Sequence, residues 1–572
     1  MLLAIKKEIE QALQSAGVKG GFGLSVPPKP ELGDLSFTCF EVAKNWKMSP
    51  AEAAKKIEVS LDSLRQLADR GNDNIVEKIK AFGPYVNFYL NSGKTTEVVL
   101  KAIQKQGKKY GQSKLGAGKK ALIEYPSNNT HKELHIGHLR NICIGNALVN
   151  LFSVSGHKTI SVNYVNDFGA HVARCLWGLQ KFHAKENPPA DKQKWLGEIY
   201  AESSQYLAQH PKLAGEVAEL QKKLEAKDKT IWPLFKQTRA WSLEGFDKAF
   251  KELGVKHKAV FYEKDVKDKG QKVVDELLKK NIAKVGEGGA IIADLKPYGL
   301  DIGLLRKSNG SGLYLTSDLG LAKAKAKKYK PSESIHITGT EQDFYFKQLF
   351  KILELAGYKY KMTHLGYGLV NLPTGKMSSR EGKVVLYETV RDEVYKDVWA
   401  ETKSRHHDWP EKQVEETAKK ISLAAIKFEF LKHEAAKIIV FNIEEAISFN
   451  GFTGPYVLYA VARINSLLKK AKSAGFKVNS NLLKEPEEKK TVLLLAGYDE
   501  VLKKALENYN PSVLVKYAFD VAQQFNDFYN KHNVTNAGSE ELIKARLALC
   551  VSVKQVLENV LEILTMETVE EM

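Results

Sequence analysis

A chain of 572 residues is too long for one hydrophobic core, so about two to four domains are expected. With 43% hydrophobic and 27% charged residues, no apolar run long enough for a bilayer and no secretory pattern at its start, it reads as a cytoplasmic globular protein rather than a membrane or secreted one. Lys plus Arg (86) exceed Asp plus Glu (68), a net charge of +18 that favours a polyanionic partner without naming it.

Residues 1–110 read as a small α/β module. It opens on an amphipathic helix, and Ser49-Pro50-Ala51-Glu52 is a helix start: Ser49 caps, Pro50 takes the first helical position and Glu52 closes a capping box. YVNFYL (85–90) alternates like a strand, and the Gly/Lys-rich GKKYGQSKLGAGKK (107–120) reads as a linker. From 118 to 395 the pattern changes. ALIEY (121–125) is a buried strand, followed by a polar loop, a helix from Gly137 through Phe152 and the strand HKTISVNYV (157–165). Strand, turn, helix, strand is the unit of a parallel, nucleotide-binding sheet. Residues 180–285 are charged and helical, an insertion in that sheet domain. Sheet-like segments return at GGAIIADL (288–295), LYLTS (313–317), SIHITG (334–339) and THLGYGLV (363–370). Residues 396–572 are almost wholly helical. The last long helix starts after Ser539, with Leu549, Val553, Val556, Val560 and Leu564 on one face. The four cysteines (Cys39, Cys143, Cys175, Cys550) are too scattered for a disulfide framework or a thiolate zinc site.

Within the first polar loop lies THKELHIGHLRN (130–141). His135 and His138 could be a metal pair, two core imidazoles, or a phosphate-facing turn. A metal site lacks a third ligand at convincing spacing. A core site conflicts with Lys132, Arg140 and the polar run before them. A turn between a parallel strand and a helix N-terminus offers backbone N–H groups to an anion, with Gly137 letting a nucleotide approach the backbone. The matching element is GKMSSREGK (375–383), whose Lys376, Ser378 and Arg380 could donate to a triphosphate. Alone it would read as a solvated charged loop.

Together these segments resemble the HIGH and KMSKS signatures of class I aminoacyl-tRNA synthetases, in the version of the arginyl-tRNA synthetase family. IEYPSNNTHKELHIGHLRNI (123–142) is similar to that family's IEFSSPNxxKPxHxGHLRx segment. YVNDFG (164–169), LYLTSDLG (313–320), GTEQDFYFKQLFKIL (339–353) and FTGPYVLYAVARI (452–464) resemble further family segments in order, and PPKPELGD and AFGPYVNF resemble its tRNA-elbow-binding module. The resemblance implies a Rossmann-type catalytic domain between a small N-terminal α/β module and a C-terminal α-helical bundle. It implies ligation of L-arginine to tRNA(Arg) with ATP, by a monomer, with Mg2+ bound to the ATP and no zinc. The second lysine of KMSKS falls at Ser379, and Lys132 holds the position thought to compensate.

The resemblance gives ATP the residues His135, Gly137, His138, Met377 and Ser378. It gives phosphate-charge stabilisation to Lys132, His135, His138, Lys376 and Arg380. A guanidinium is best met by a carboxylate in bidentate fashion, which suits Asp318 beside Tyr314. Asp318 could instead cap the helix that follows it. Glu124 aligns with the second guanidinium acceptor, and Ser127, Asn129 and Gln342 with the groups that hold the α-amino and carboxylate ends. Asn87, Tyr456, Tyr459 and Arg463 are the expected tRNA contacts, the last three through stacking on splayed bases. Each of those tyrosines could equally complete the core. The run KAKAKKYK (323–330) reads as a solvated helix face.

Overall fold

A computed structural model describes residues 1–68, 75–371, 373, 385–471 and 479–572. The expected triphosphate loop, with Lys376, Met377, Ser378 and Arg380, lies outside the described residues.

In the N-terminal module, helices Leu2–Ser15 and Pro50–Ala68 accompany a three-stranded antiparallel sheet in which Tyr85–Leu90 is central between Leu35–Thr38 and Val76–Phe82. The capping box forms as expected. Ser49 N–H donates to Glu52 Oε2 at 2.9 Å and Glu52 N–H to Ser49 Oγ at 3.2 Å. The stretch expected as a linker carries buried Tyr110, whose hydroxyl donates to the carbonyl of Leu495 at 3.0 Å.

The largest sheet has five parallel strands: β1 (Lys120–Glu124), β2 (Lys158–Val165), β3 (Ala259–Tyr262), β4 (Glu333–Gly339) and β5 (Lys361–Tyr367), in the order β5-β4-β1-β2-β3. Strand order reverses between β1 and β4. Their carboxyl ends therefore diverge into a crevice, the usual ligand position in an open α/β sheet. Register sets Glu124 beside His336 at its mouth.

Helix α1 (Ile136–Val154) connects β1 to β2; α2 (Lys192–Gln209) and α3 (Trp232–Leu253) belong to the insertion; α4 (Glu263–Lys279) follows β3. Two expectations need correction. β3 lies inside the segment read as a purely helical insertion, and its half-buried edge position explains its weak alternation. LYLTS is not a sheet segment but the start of α5 (Tyr314–Tyr329): Leu315, Leu319 and Ala322 recur at helical spacing and are buried, and Leu313 N–H donates to Thr316 Oγ1 at 2.9 Å. Helix α6 (Asp343–Leu355) links β4 to β5, and a small antiparallel sheet between 284 and 306 precedes α5.

Helices α7 (Tyr387–Arg405), α8 (Glu411–Leu431), α9 (Gly454–Ala471), α10 (Ser512–Lys531) and α11 (Glu540–Ile563) dominate the C-terminal part. Ser539 caps α11 through Leu542 N–H at 3.2 Å, and Leu549, Val553, Val556, Val560 and Leu564 are all fully buried. A division at 395/396 would cut α7 in its middle. One buried cluster runs from Leu2 through the catalytic domain to Val569. Arg140 reinforces it: its guanidinium is buried and donates to the carbonyls of Gly368 (2.6 Å), Lys437 (2.7 Å) and Glu434 (3.2 Å).

Candidate active site

The crevice between β1 and β4 opens into a cavity of about 610 Å³, lined by Glu124, Ser127, Asn129, His135, His138, Tyr314, Asp318 and Gln342. Side chains that the sequence reading did not assign complete it, among them Asn141, Tyr164, Lys325, His336 and Tyr345.

At one end, His135 is the N-cap of α1. Its Nδ1 accepts from the backbone N–H groups of Gly137 (3.1 Å) and His138 (3.3 Å), while His138 Nδ1 accepts from His135 N–H (3.2 Å). The rings stack with centroids 3.8 Å apart. A Cβ on Gly137 would meet the His135 ring at 3.0 Å, so the cap itself favours glycine there. Because both Nδ1 atoms accept, each ring carries its proton on Nε2. Burial, and then the Lys132 ammonium, push His135 down to about 4; burial, His135 and Lys132 hold His138 well below its ordinary value. Both rings are therefore neutral near pH 7 and offer one N–H each.

The loop is tied to the insertion. His131 is buried; its N–H donates to Ser242 Oγ at 2.9 Å and its Nε2 lies 2.8 Å from Thr238 Oγ1, both on α3. Asp167 of the YVNDFG segment is fully buried and accepts from Arg239 Nε of α3 at 2.6 Å and from Lys264 N–H of α4 at 3.2 Å. Lys132 does not line the cavity; its Nζ sits 4.4 Å from the ring centre of Tyr200 on α2.

At the other end, Glu124 is almost fully buried. Lys325 Nζ donates to its Oε2 at 2.5 Å, and His336 Nδ1 lies 3.4 Å from its Oε1. Burial alone would raise the Glu124 carboxyl, but Lys325 and His336 bring it down to about 2. Lys325 is 2% exposed, so the run 323–330 is not a uniformly solvated face: this lysine, seven residues after Asp318, turns inward. Asp318 accepts from the Tyr345 hydroxyl and, among the described residues, is bonded to no cation. Burial raises its carboxyl to about 7, against the hydrogen bond from Tyr345. α5 begins at Tyr314 with Leu313 as its cap, so Asp318 lies one turn inside the helix and the capping role is excluded.

The expected tRNA contacts are scattered. On α9, the Arg463 guanidinium lies 4.6 Å from the Tyr459 ring centre and 5.0 Å from that of Tyr529, and Arg463 Nη1 donates to Asn526 Oδ1 at 3.1 Å. Tyr456 packs on Phe519 with centroids 5.2 Å apart, and all three α9 residues are half-buried. Asn87 is buried, its Oδ1 accepting from Ser36 Oγ at 2.7 Å. Among the described residues no group of three or more His, Cys, Asp or Glu side chains converges as a metal site, and no helix is long and apolar enough to cross a membrane.

Comparison with known proteins matches this architecture segment by segment. Residues 3–90 match the arginyl tRNA synthetase N terminal domain, 99–443 the class I (R) tRNA synthetase catalytic domain and 457–572 the DALR anticodon binding domain. The chain is 35% identical to an arginine–tRNA ligase of Clostridium botulinum, covering 96% of each chain, and 34% identical to that of Clostridium beijerinckii, covering 99% of this chain and 98% of the other. Its fold superposes on Thermus thermophilus arginyl-tRNA synthetase with a TM-score of 0.84 at 26% identity, covering 100% of this chain and 99% of that one. The chain belongs to the arginyl-tRNA synthetase family of class I synthetases.

Proposed function

We propose the following division of labour for the arginine–tRNA ligase reaction of this family. First, an arginine carboxylate oxygen attacks the α-phosphorus of ATP, and the bond to the bridging oxygen of pyrophosphate breaks to leave arginyl-adenylate. The 3′-terminal ribose hydroxyl of tRNA(Arg) then attacks the adenylate carbonyl and AMP departs. Neither step needs a nucleophile from the protein, so positioning and preorganised donors carry the rate.

At the nucleotide end, the Nε2–H groups of His135 and His138 donate to phosphate oxygens, and Gly137 admits the nucleotide to the backbone. By resemblance Met377 stays assigned to ATP, and Lys376, Ser378 and Arg380 to the triphosphate. Lys132 is assigned there too. Its cation–π contact with Tyr200 is worth only about 0.5–2 kcal/mol, little to set against a polyphosphate charge. Mg2+ would arrive on the triphosphate as part of the substrate.

At the amino-acid end, Asp318 receives the guanidinium beside Tyr314, while Ser127, Asn129 and Gln342 hold the α-amino and carboxylate groups. Glu124 is bonded to Lys325 and enters as an internal anchor rather than a second guanidinium acceptor. Tyr456, Tyr459 and Arg463 face the tRNA, joined by Tyr529. The chain acts as a cytoplasmic monomer, and its four buried, unpaired cysteines suit a reducing compartment.

The observation that carries this reading is a single cavity with two neutral N–H donors at one end and, at the other, a buried carboxylate that has no cationic partner among the described residues. ATP–pyrophosphate exchange with a panel of amino acids, with and without tRNA, tests it. Exchange with arginine and tRNA is expected; exchange driven by another amino acid, or none with arginine plus tRNA, sinks it.

A further inference from the structure

Asp318 and Glu124 are two buried carboxylates lining one cavity. Like charges in a low-dielectric site oppose each other's ionisation, so one of two such groups ordinarily takes up a proton. Two contacts work against that. Lys325 is committed to Glu124 and cancels its charge. The Tyr345 hydroxyl, from α6, donates to Asp318 Oδ2. A donated hydrogen bond favours the ionised carboxyl, because only that form has every lone pair free to accept.

The protonation state matters to what the site selects. A carboxylate accepts the N–H donors of a guanidinium and balances its charge. A carboxylic acid presents an O–H instead, which the carbonyl oxygen of a neutral ureido group of the same shape would accept. We propose that Tyr345 is a positioning residue that keeps Asp318 in its carboxylate form, so that this end of the cavity selects a guanidinium cation over its neutral ureido isostere. The proposal rests on the assignment of Asp318 to the substrate guanidinium.

The charged and titratable groups that act on Asp318 come from five elements: Glu124 at the end of β1, Tyr164 on β2, Glu263 at the start of α4, Lys325 on α5 itself and Tyr345 on α6. Burial also raises Glu263 to about 7, so it titrates in the same window. The Tyr345 hydroxyl bonds to Asp318, however, and its removal acts on that carboxyl first.

The test is kcat/KM for arginine in tRNA-supported ATP–pyrophosphate exchange, measured from pH 6 to 9.5 in wild type and Tyr345→Phe. This parameter reports ionisations of the free enzyme and the free substrate. The guanidinium stays cationic throughout, and the α-ammonium of arginine, which titrates inside this range, acts on wild type and variant alike, so the ratio of the two isolates the enzyme. The sign follows from the bond: without the donor the Asp318 carboxyl titrates higher, so more alkaline solution is needed to ionise it. Tyr345→Phe is expected to lose about tenfold at pH 7, to regain wild-type values above pH 9, and to keep its KM for ATP. L-citrulline, added as a competitor at pH 7, is expected to inhibit the variant several-fold more strongly, relative to arginine, than the wild type. A loss of the same size at every pH, an unshifted profile or unchanged discrimination against citrulline overturns the proposal alone. A wild type inactive with arginine, or an Asp318→Asn variant with unchanged KM for arginine, overturns the assignment beneath it and the proposal with it.

Discussion

At the end of the cavity proposed for the nucleotide the shaping contacts are local. His135 and His138 stand on one turn, their Nδ1 atoms bonded to backbone N–H groups within three residues. At the end proposed for the amino acid the contacts join distant segments: Lys325 reaches Glu124 across 201 residues and Tyr345 reaches Asp318 across 27. The local end fixes orientation and tautomer through hydrogen bonds between neutral groups. The distant end fixes charge, by arranging which buried carboxylate has a cationic partner. A synthetase needs both, because the triphosphate must be met by aimed donors and the amino acid by one unmatched negative charge.

The contrast can be broken at either end. The largest effect is expected from His135→Asn. Asparagine can still accept at the cap position, so melting should stay within a few degrees of wild type, but its shorter amide no longer places an N–H where the imidazole Nε2–H points. The activation rate should fall about 100-fold or more, the usual cost of one preorganised donor to developing charge. Rate and melting falling together would mean that the cap, not the donor, was lost.

Asp318→Asn comes next. It leaves the guanidinium without its counter-charge, and losing one partner of a buried charged hydrogen bond costs about 2–5 kcal/mol. Steady-state kinetics should show the KM for arginine raised at least about 30-fold. Lys132→Ala should lower the activation rate about tenfold, or about 1.4 kcal/mol, in single-turnover measurements. Wild-type turnover in that variant would show that Lys132 does not replace the lysine missing at Ser379. The smallest effect is expected at the far domain. Arg463→Ala should raise the KM for tRNA roughly five- to tenfold, the loss of about one stacking contact at 1–1.5 kcal/mol, with no change in KM for ATP.

Local patterns were legible in the sequence and long-range ones were not. The capping box at Ser49 and Glu52, the α11 start after Ser539 and the strand Tyr85–Leu90 all depend on residues a few positions apart, and each formed. The HIGH segment was legible as a turn opening a helix, but the neutrality of its rings was not, because burial depends on the whole domain. LYLTS misled because five residues with apolar members at alternate positions fit a strand, while the deciding period, Leu315 to Leu319 to Ala322, runs past them. The short edge strand β3 carries little alternation of its own and is defined by its pairing with β2. Lys325 sits in a lysine-rich run whose composition argues for solvent, and only the fold reveals Glu124 opposite it. His131 and Asp167 likewise anchor the insertion through partners about 70–110 residues away, beyond the reach of any local pattern.

The central claim is that the two ends of the cavity act on different substrates. Measuring kcat, KM for ATP and KM for arginine side by side in His135→Asn and Asp318→Asn tests it most directly. The expected result is a crossed pattern: His135→Asn lowers kcat while its KM for arginine stays near wild type, and Asp318→Asn raises the KM for arginine while its KM for ATP stays near wild type. Two variants that disturb the same parameters to the same degree would contradict it.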